Sequence, residues 1–280
     1  MRVACCGLTT LDVIQYADRL PTPDEKLQAN ATLVEFGGPA ANAAFTAVAL
    51  GASATLVSAV GGGSVGQLVS NQLAGAEIDL LDLAGTDWQA PVSSVLVTGE
   101  SRAVISMNAC GAVPLSLPDD ALDDCSALLV DGHHLDLCIT AACRARELGI
   151  PVLLDGGSWK PGLDRLLPLI DAAVLSADFR GPHGTEWGDI LIAVSRGPHP
   201  ITLFDRSIPV PVVEVTDTVG AGDVLHGALL VHLARHGLEG VEAGLRYAAG
   251  VAGESCRHAG AHTWAHATAP STANDNRFHL

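Results

Sequence analysis

Short apolar runs alternate with alanine-rich helical segments along most of the chain, and this alternation limits the fold more than any other feature. Each run has the length and composition of a buried strand, and each following segment has helical spacing. Strand–helix–strand units place parallel strands in one sheet with helices on both faces. The sequence therefore predicts an α/β fold, a three-layer α/β/α sandwich with a mainly parallel central sheet. The predicted strands are residues 55–60, 127–132, 150–157 and 172–176, and the predicted helices are 65–74, 136–148 and a segment near 162–169.

Two segments do not follow this alternation and predict a second, smaller sheet. Residues 27–36 and 93–108 alternate between apolar and polar side chains, and the second segment is typical of a hairpin around residues 98–101. The opening stretch MRVACCGLTTLDVI has the pattern of one buried first strand, and residues 261–280 that of a polar surface tail. We therefore expect a single domain over residues 1–280, with a β-lid contributed by about 12–35 and 92–110.

Charge and cysteine content narrow the class of partner. The 280 residues carry a formal net charge of −16, which argues against nucleic acids and anionic membrane surfaces as partners. The seven cysteines form no C-x-x-C pair, so reduced thiols in the cytoplasm are the simplest interpretation. Residues 36–76 carry no charge, but glycines, a proline and an asparagine interrupt them, so they do not predict a membrane span. We expect a soluble, cytoplasmic protein.

The stretch VTDTVGAGDVLHGALL places glycines and an acid at the start of an apolar helix. Gly220, Ala221, Gly222 and Asp223 stand directly before residues with helical spacing. One interpretation is an ordinary glycine turn with a capping aspartate. The other is an anion site, in which free backbone N–H groups and the helix dipole face a phosphate. The residues alone leave both open.

A second glycine pattern allows a different class of function. Gly61, Gly63 and Gly66 satisfy G-x-G-x-x-G between a predicted strand and a predicted helix, and Asp79 and Asp82 lie roughly 20 residues further on. This is the arrangement of a dinucleotide-binding oxidoreductase.

Three motifs in order along the chain resemble the ribokinase-like (PfkB) family of carbohydrate kinases. They are GLTTLD, which ends at Asp12, FGGPAANAA at residues 36–44, and DTVGAGD at residues 217–223. Within the family, RVACCGLTTLD, GGPAANAA, LLDGG and GAGDVLHGALL resemble ketohexokinases and, more closely, sulfofructose kinases. The resemblance covers nearly the whole chain and implies the sandwich and lid described above.

The resemblance implies an ATP-dependent kinase that phosphorylates a primary hydroxyl of a sugar, a ketose or ketose derivative. Asp223 would be the catalytic base, and the backbone N–H groups of Gly220, Ala221, Gly222 and Asp223 would form an anion hole. The residues implied to bind the sugar are Asp12, Gly37, Gly38 and Asn42, with Arg102 and Asn108 closing over it from the hairpin. Taken in isolation, Asp12 is more typical of a strand-end turn and Asn42 of a helix cap, and Arg102 is equally typical of a solvated turn.

The same resemblance implies a nucleotide side of the site. Ser195 and Gly197 match a turn beside the ATP phosphates, Gly260 matches a turn flanking the base, and Thr218, Gly220 and Gly222 would contact phosphates. Mg²⁺ would accompany ATP, and no residues are assigned as its ligands. His133, His134 and Cys138 could suggest a metal cluster, but they lack a recognised ligand spacing. The family also allows a monovalent cation near Asp217 and a homodimer formed through the lids.

One departure from the family motif keeps a non-catalytic alternative open. Members commonly carry Asn-x-x-Glu after the strand at 172–176, where this chain has Ser176 and Phe179 with Asp178 between them. The following segment, 179–189, is also short. A sugar- or nucleotide-binding sensor with the same fold would explain this change, whereas the intact GAGD motif favours an enzyme.

Overall fold

Two β-sheets and five α-helices form the chain over residues 1–99, 101–109 and 116–265, which the computed structural model describes. Residues 100 and 110 of the expected lid and residues 266–280 of the expected tail lie outside this part. The strands are β1 (Arg2–Cys6), β2 (Thr10–Tyr16), β3 (Ala31–Gly37), β4 (Ser53–Ser58), β5 (Asp79–Asp82), β6 (Val92–Val97), β7 (Arg102–Ser106), β8 (Cys125–Val130), β9 (Val152–Gly156), β10 (Ala172–Ser176), β11 (Leu191–Arg196), β12 (His199–Leu203) and β13 (Arg206–Ile208). The helices are α1 (Pro39–Ala49), α2 (Ser64–Gly75), α3 (Leu135–Leu148), α4 (Ala221–His236) and α5 (Val241–Ser255).

The large sheet has the order β13-β12-β11-β10-β9-β8-β1-β4-β5. Its strands are parallel from β11 to β5, and β12 and β13 add an antiparallel edge. Val3 and Cys5 point into one apolar cluster with α1, α4 and α5, whereas Ala4 and Cys6 point into another with α3. Both faces are therefore covered by helices, which confirms the predicted three-layer α/β fold.

The smaller sheet has the order β3-β2-β6-β7 and forms the lid. Strand β2 pairs antiparallel with β3 and parallel with β6, and β6 and β7 form the expected hairpin. On the outer strand, Val104 is 54% exposed and Ile105 is 77% exposed. Pairing of two subunits through the lids stays a prediction, as does the assignment of residues 1–280 to one domain.

The prediction of one N-terminal strand is wrong, because the chain changes sheets at Gly7. Strand β1 belongs to the large sheet and β2 to the lid. Gly7 has a φ of +154°, and a Cβ there would overlap the Asp131 carboxylate. Asp12 consequently lies within a lid strand and not at the end of a strand of the large sheet.

The prediction of a helix near 162–169 is also wrong. Two single-turn 3₁₀ helices, Leu163–Arg165 and Leu167–Leu169, occupy this segment. Pro168 has no backbone N–H, and its ring would clash with the preceding turn of an α-helix. Among residues 1–99, 101–109 and 116–265, no helix combines the length and the apolar character needed to span a bilayer.

Candidate active site

A cleft of about 280 Å³ lies between the lid and the large sheet. Residues that are far apart in the chain meet in it, because the lid strands, the start of α1 and the start of α4 all open onto it. It brings together most of the predicted site residues: Asp12, Gly38, Asn42, Arg102, Asn108, Thr218, Gly220, Ala221, Gly222 and Asp223. Gly37, Ser195, Gly197 and Gly260 are not among its lining residues.

The start of α4 is shaped by a glycine and held by a buried aspartate. Gly220 precedes the helix with a φ of +72°, in the left-handed region that glycine tolerates. The Asp217 carboxylate accepts hydrogen bonds from the backbone N–H of Val219 at 2.9 Å, the Tyr16 hydroxyl at 2.7 Å and the backbone N–H of Gly260 at 2.9 Å. The first N–H groups of an α-helix have no partner inside the helix, so this fixed loop leaves donors that can face the cleft.

Asp223 lies in the first turn of α4, and its carboxylate reaches Asn42. The Asn42 Nδ2 atom donates to Asp223 Oδ2 at 2.6 Å. Burial, and next the nearby Asp155 carboxylate, raise the pKa of Asp223 to about 7. Asp223 can therefore take up and release a proton near neutral pH.

Asn42 is not the helix cap that it resembles in isolation. The N-cap of α1 is Gly38, and no side chain caps this helix. Asn42 is 5% exposed, and both ends of its amide are engaged, with Asp223 on the nitrogen and His262 Nε2 at 3.0 Å from the oxygen.

Asp12 reaches the cleft from the middle of β2. Its Oδ1 accepts a hydrogen bond from the Thr10 hydroxyl at 2.6 Å, and burial raises its pKa. A Cβ on Gly37 would overlap this carboxylate, and a Cβ on Gly38, at a φ of +95°, would overlap the Leu8 carbonyl. The two glycines thus make room for Asp12 and for the turn into α1.

The lid hairpin contributes the two polar residues that the sequence assigns to it. Arg102 donates from Nη1 to the Thr218 carbonyl at 3.3 Å, which links β7 to the loop before α4. Asn108 lines the cleft just beyond β7 with a φ of +49°.

Of the six residues assigned to the nucleotide, Thr218, Gly220 and Gly222 line the cleft, whereas Ser195, Gly197 and Gly260 do not. Ser195 is next to Ser176 in the pairing of β10 and β11, and its hydroxyl donates to the Leu175 carbonyl at 3.3 Å. Gly197 forms the turn between β11 and β12 with a φ of +57°. Gly260 packs against Glu35 of β3. Their nucleotide roles stay predictions.

The G-x-G-x-x-G loop is occupied by the protein itself. Asp82 accepts hydrogen bonds from the backbone N–H groups of Val60 and Gly61, both at 2.9 Å. A Cβ on Gly61 would overlap the Trp88 carbonyl, and one on Gly66 would overlap Gly61. The glycines permit close backbone packing, and the acid that would bind a ribose closes the loop, which argues against a dinucleotide site.

Sequence reasoning missed several residues that support the site. His262 contacts Asn42, Glu35 contacts His262, Tyr16 holds Asp217, and Asp155 lies close to Asp223. The only sequence signal for His262 is its position two residues after Gly260, because its contacts are with residues more than 200 positions away. Among the described residues, no group of three His, Cys, Asp or Glu side chains could hold a metal ion.

Comparison with known proteins shows which fold the chain has. A structure from Agrobacterium tumefaciens, provisionally assigned as a ribokinase, superposes with a TM-score of 0.82 at 23% identity and covers 94% of both chains. A fructokinase from Xylella fastidiosa with bound ATP has a TM-score of 0.74 at 19% identity, again over 94% of both chains. These similarities define the class: a ribokinase-like α/β fold with a separate lid.

The sequence comparisons are more specific. The Bacillus subtilis (strain 168) ribokinase is 24% identical over 274 residues, which cover 89% of this chain and 90% of that one. The pfkB family carbohydrate kinase profile matches residues 1–178 and 191–267, and the chain belongs to this family. The unmatched interval, residues 179–190, contains the short segment that follows Asp178.

Proposed function

We propose that the protein is an ATP-dependent carbohydrate kinase that transfers the γ-phosphate to a primary hydroxyl of a ketose or ketose derivative. The observation that carries the proposal is the contact between Asn42 and Asp223, at 2.6 Å, in a cleft at the start of α4. Phosphoryl transfer needs a group that accepts the hydroxyl proton and donors that bind the phosphate. Asp223 would be the first, and the N-terminus of α4 would supply the second.

Asp223 is the proton acceptor in this mechanism. As the sugar oxygen bonds to the γ-phosphorus, its proton passes to the Asp223 carboxylate, the bond between the γ-phosphorus and the bridging oxygen breaks, and ADP leaves with that electron pair. The pKa of about 7 suits this step, because about half of the carboxylate is ionised at neutral pH and the ionised form is basic enough to take the proton.

The backbone at residues 220–223 is the anion hole. Its N–H groups donate to the oxygens of the transferring phosphoryl group, where negative charge is spread in the transition state. The dipole of α4 adds to this stabilisation. Gly220 and Gly222 allow the phosphoryl group to approach the backbone, because they present no side chain.

The sugar lies against Asp12, Gly38 and Asn42, with Arg102 and Asn108 above it. A carboxylate accepts from two hydroxyls, and an amide both donates and accepts, which suits a polyol. The volume of about 280 Å³ is below the range of pockets for drug-sized ligands and fits a monosaccharide. The resemblance to ketohexokinases supports a ketose, and closure of the lid excludes water as a competing acceptor.

ATP is the phosphoryl donor, as the ATP-bound fructokinase with the same fold supports. Thr218, Gly220 and Gly222 contact its phosphates, Ser195 and Gly197 lie beside them, and Gly260 lies toward the base. Mg²⁺ would reach this site with the nucleotide and would neutralise phosphate charge there, and no group of three His, Cys, Asp or Glu side chains among the described residues would hold it. A monovalent cation near Asp217, which the family allows, would have to share a carboxylate that already accepts three hydrogen bonds.

A binding protein without turnover is the second candidate. Ser176 and Phe179 replace the family's Asn and Glu, and the family profile does not match residues 179–190. Such a protein would bind sugar or nucleotide and release no ADP.

The deciding experiment is ADP release from ATP and Mg²⁺ over a panel of ketoses, aldoses, nucleosides, sugar phosphates and sulfofructose. We expect sugar-dependent release, with the highest kcat/KM for a ketose or ketose derivative. An aldose or nucleoside as best substrate would contradict the ketose assignment. Binding of sugar or ATP by calorimetry without release for any compound would favour the sensor.

The pH dependence of the reaction follows from the pKa of Asp223. The base must be ionised, so kcat/KM for the sugar should be constant above about pH 7 and fall about tenfold per pH unit below it. In Asn42→Ala the midpoint should move to higher pH, because the amide's hydrogen bond lowers the pKa of Asp223. Profiles between pH 5 and 9 test this, and a profile that is flat through pH 6 would exclude Asp223 as the titrating base.

A further inference from the structure

The Asn42 amide is part of a hydrogen-bonded chain that continues away from the cleft. Its Nδ2 donates to Asp223 at 2.6 Å, and its Oδ1 lies 3.0 Å from His262 Nε2. An amide oxygen can only accept, so the Nε2 atom of His262 must carry the proton and donate. The N–H group of His262 therefore favours the orientation in which the Asn42 oxygen faces the histidine and the nitrogen faces Asp223.

The lid strand β3 holds this histidine from the other side. The Nδ1 atom of His262 lies 3.3 Å from Glu35 Oε2, an attractive contact when Nδ1 carries a proton as well as Nε2, and Glu35 Oε1 accepts a hydrogen bond from the backbone N–H of Ala261 at 3.0 Å. The imidazole also packs between Phe36 and Phe45, with ring centroids 4.1 Å and 4.4 Å away. The ring is buried, at 9% exposure, and these contacts fix its plane.

We propose that His262 is a positioning residue for the sugar-phosphorylation reaction, acting through Asn42 on Asp223 and held by Glu35 of the lid. The assignment rests on the proposed function. Rotation of the Asn42 amide by 180° would place its oxygen against the Asp223 carboxylate, so that two acceptors face each other. It would also turn the NH₂ group toward the donor on His262. The histidine makes that rotation unfavourable, and the amide is presented to the sugar in one orientation.

The series of contacts Glu35–His262–Asn42–Asp223, called the relay below, joins the lid sheet to two helices. Glu35 belongs to the lid sheet, Asn42 to the first turn of α1 and Asp223 to the first turn of α4. Asp12 is the cross-strand partner of Glu35, so the acid that contacts the sugar and the acid that holds His262 are adjacent on the lid. The position of β3 therefore affects the orientation of Asn42 and of Asp12 together.

Two substitutions separate this role from simple core packing. His262→Phe keeps an aromatic ring between Phe36 and Phe45 but removes the donor to Asn42. His262→Gln removes the ring but places an amide N–H₂ where Nε2 stood. Leaving the Asn42 oxygen buried without a donor should raise KM for the sugar and lower kcat, together by about 10- to 100-fold in kcat/KM, with KM for ATP unchanged.

We expect His262→Phe to show this loss. His262→Gln should keep kcat/KM for the sugar within about threefold of the unsubstituted protein, because its amide N–H still pairs the Asn42 oxygen. A packing role predicts the reverse order, with the phenylalanine variant active and the glutamine variant impaired. That reverse order, or two variants equal to each other, would overturn the proposal.

A second measurement does not depend on activity. Long-range ¹⁵N–¹H NMR spectra of the full chain report which ring nitrogen of each histidine carries a proton, and the signals missing from His262→Phe assign residue 262. We expect a protonated Nε2; an unprotonated Nε2 would overturn the relay. If no sugar supports ADP release, the proposed function fails, and this spectrum still decides whether the relay exists.

Discussion

Asp223→Asn should lower kcat for sugar phosphorylation by about 10³- to 10⁴-fold, at the upper end of what a positioned general base contributes. Asparagine has the same shape and can still accept the hydrogen bond from Asn42, but it cannot take the hydroxyl proton. KM for the sugar and for ATP should change little, because the cleft keeps its lining. Steady-state ADP release at saturating sugar and ATP measures the effect.

The matched control is Asp164→Asn, the same change at an exposed position on a 3₁₀ turn. It should leave kcat unchanged. The thermal midpoint of Asp223→Asn should not fall, because the substitution removes a carboxylate whose ionisation is disfavoured by burial. A kcat within tenfold of the unsubstituted protein would rule out Asp223 as the base.

Gly222→Ala tests the anion hole against the simpler interpretation of a helix cap. A Cβ at Gly222 would meet no atom within 4 Å, so the substitution is compatible with the folded chain. Alanine also favours a helix over glycine, and stability should stay equal or rise by up to about 1 kcal/mol. In the cleft, however, the methyl group stands where the phosphoryl group must approach the backbone. We expect kcat/KM for ATP to fall by about 10²-fold, the effect of weakening one anion-hole donor.

Gly250→Ala is the control for this substitution, since Gly250 lies within α5, is exposed and also has open space for a Cβ. It should match Gly222→Ala in thermal stability and keep full activity. If Gly222→Ala kept full activity as well, the GAGD segment would be a cap and not a phosphate site.

The sequence predicted those elements whose signal is local. Strand β10 has the predicted bounds, because an uninterrupted apolar run between turn residues is typical of a strand buried on both faces. The first fourteen residues misled because most of them are apolar and no turn signal other than Gly7 separates the two strands. The change from the large sheet to the lid depends on Gly7 packing against Asp131, which is more than 120 residues away in the chain.

In the site, too, the residues that belong to local motifs could be predicted and the contacts between distant residues could not. Asp12, Asn42 and Asp223 could be named because each belongs to a short motif, and the structure places all three around one cleft. The raised pKa of Asp223 could not be predicted, because its causes are burial and the Asp155 carboxylate, which strand β9 contributes. Nor could the contact between Asn42 and His262, since no local pattern links positions 220 residues apart.

The bond between Tyr16 and Asp217 has a consequence for the protein during its synthesis. It joins the second strand of the chain to the loop before α4 across 201 positions, and Gly260 adds its N–H to the same carboxylate. A chain emerging from the ribosome can fold much of its sheet before these residues appear, but it cannot hold the 220–223 loop in place. The third donor to Asp217 is therefore present only after residue 260 has been translated, so the loop before α4 reaches its final form late in synthesis.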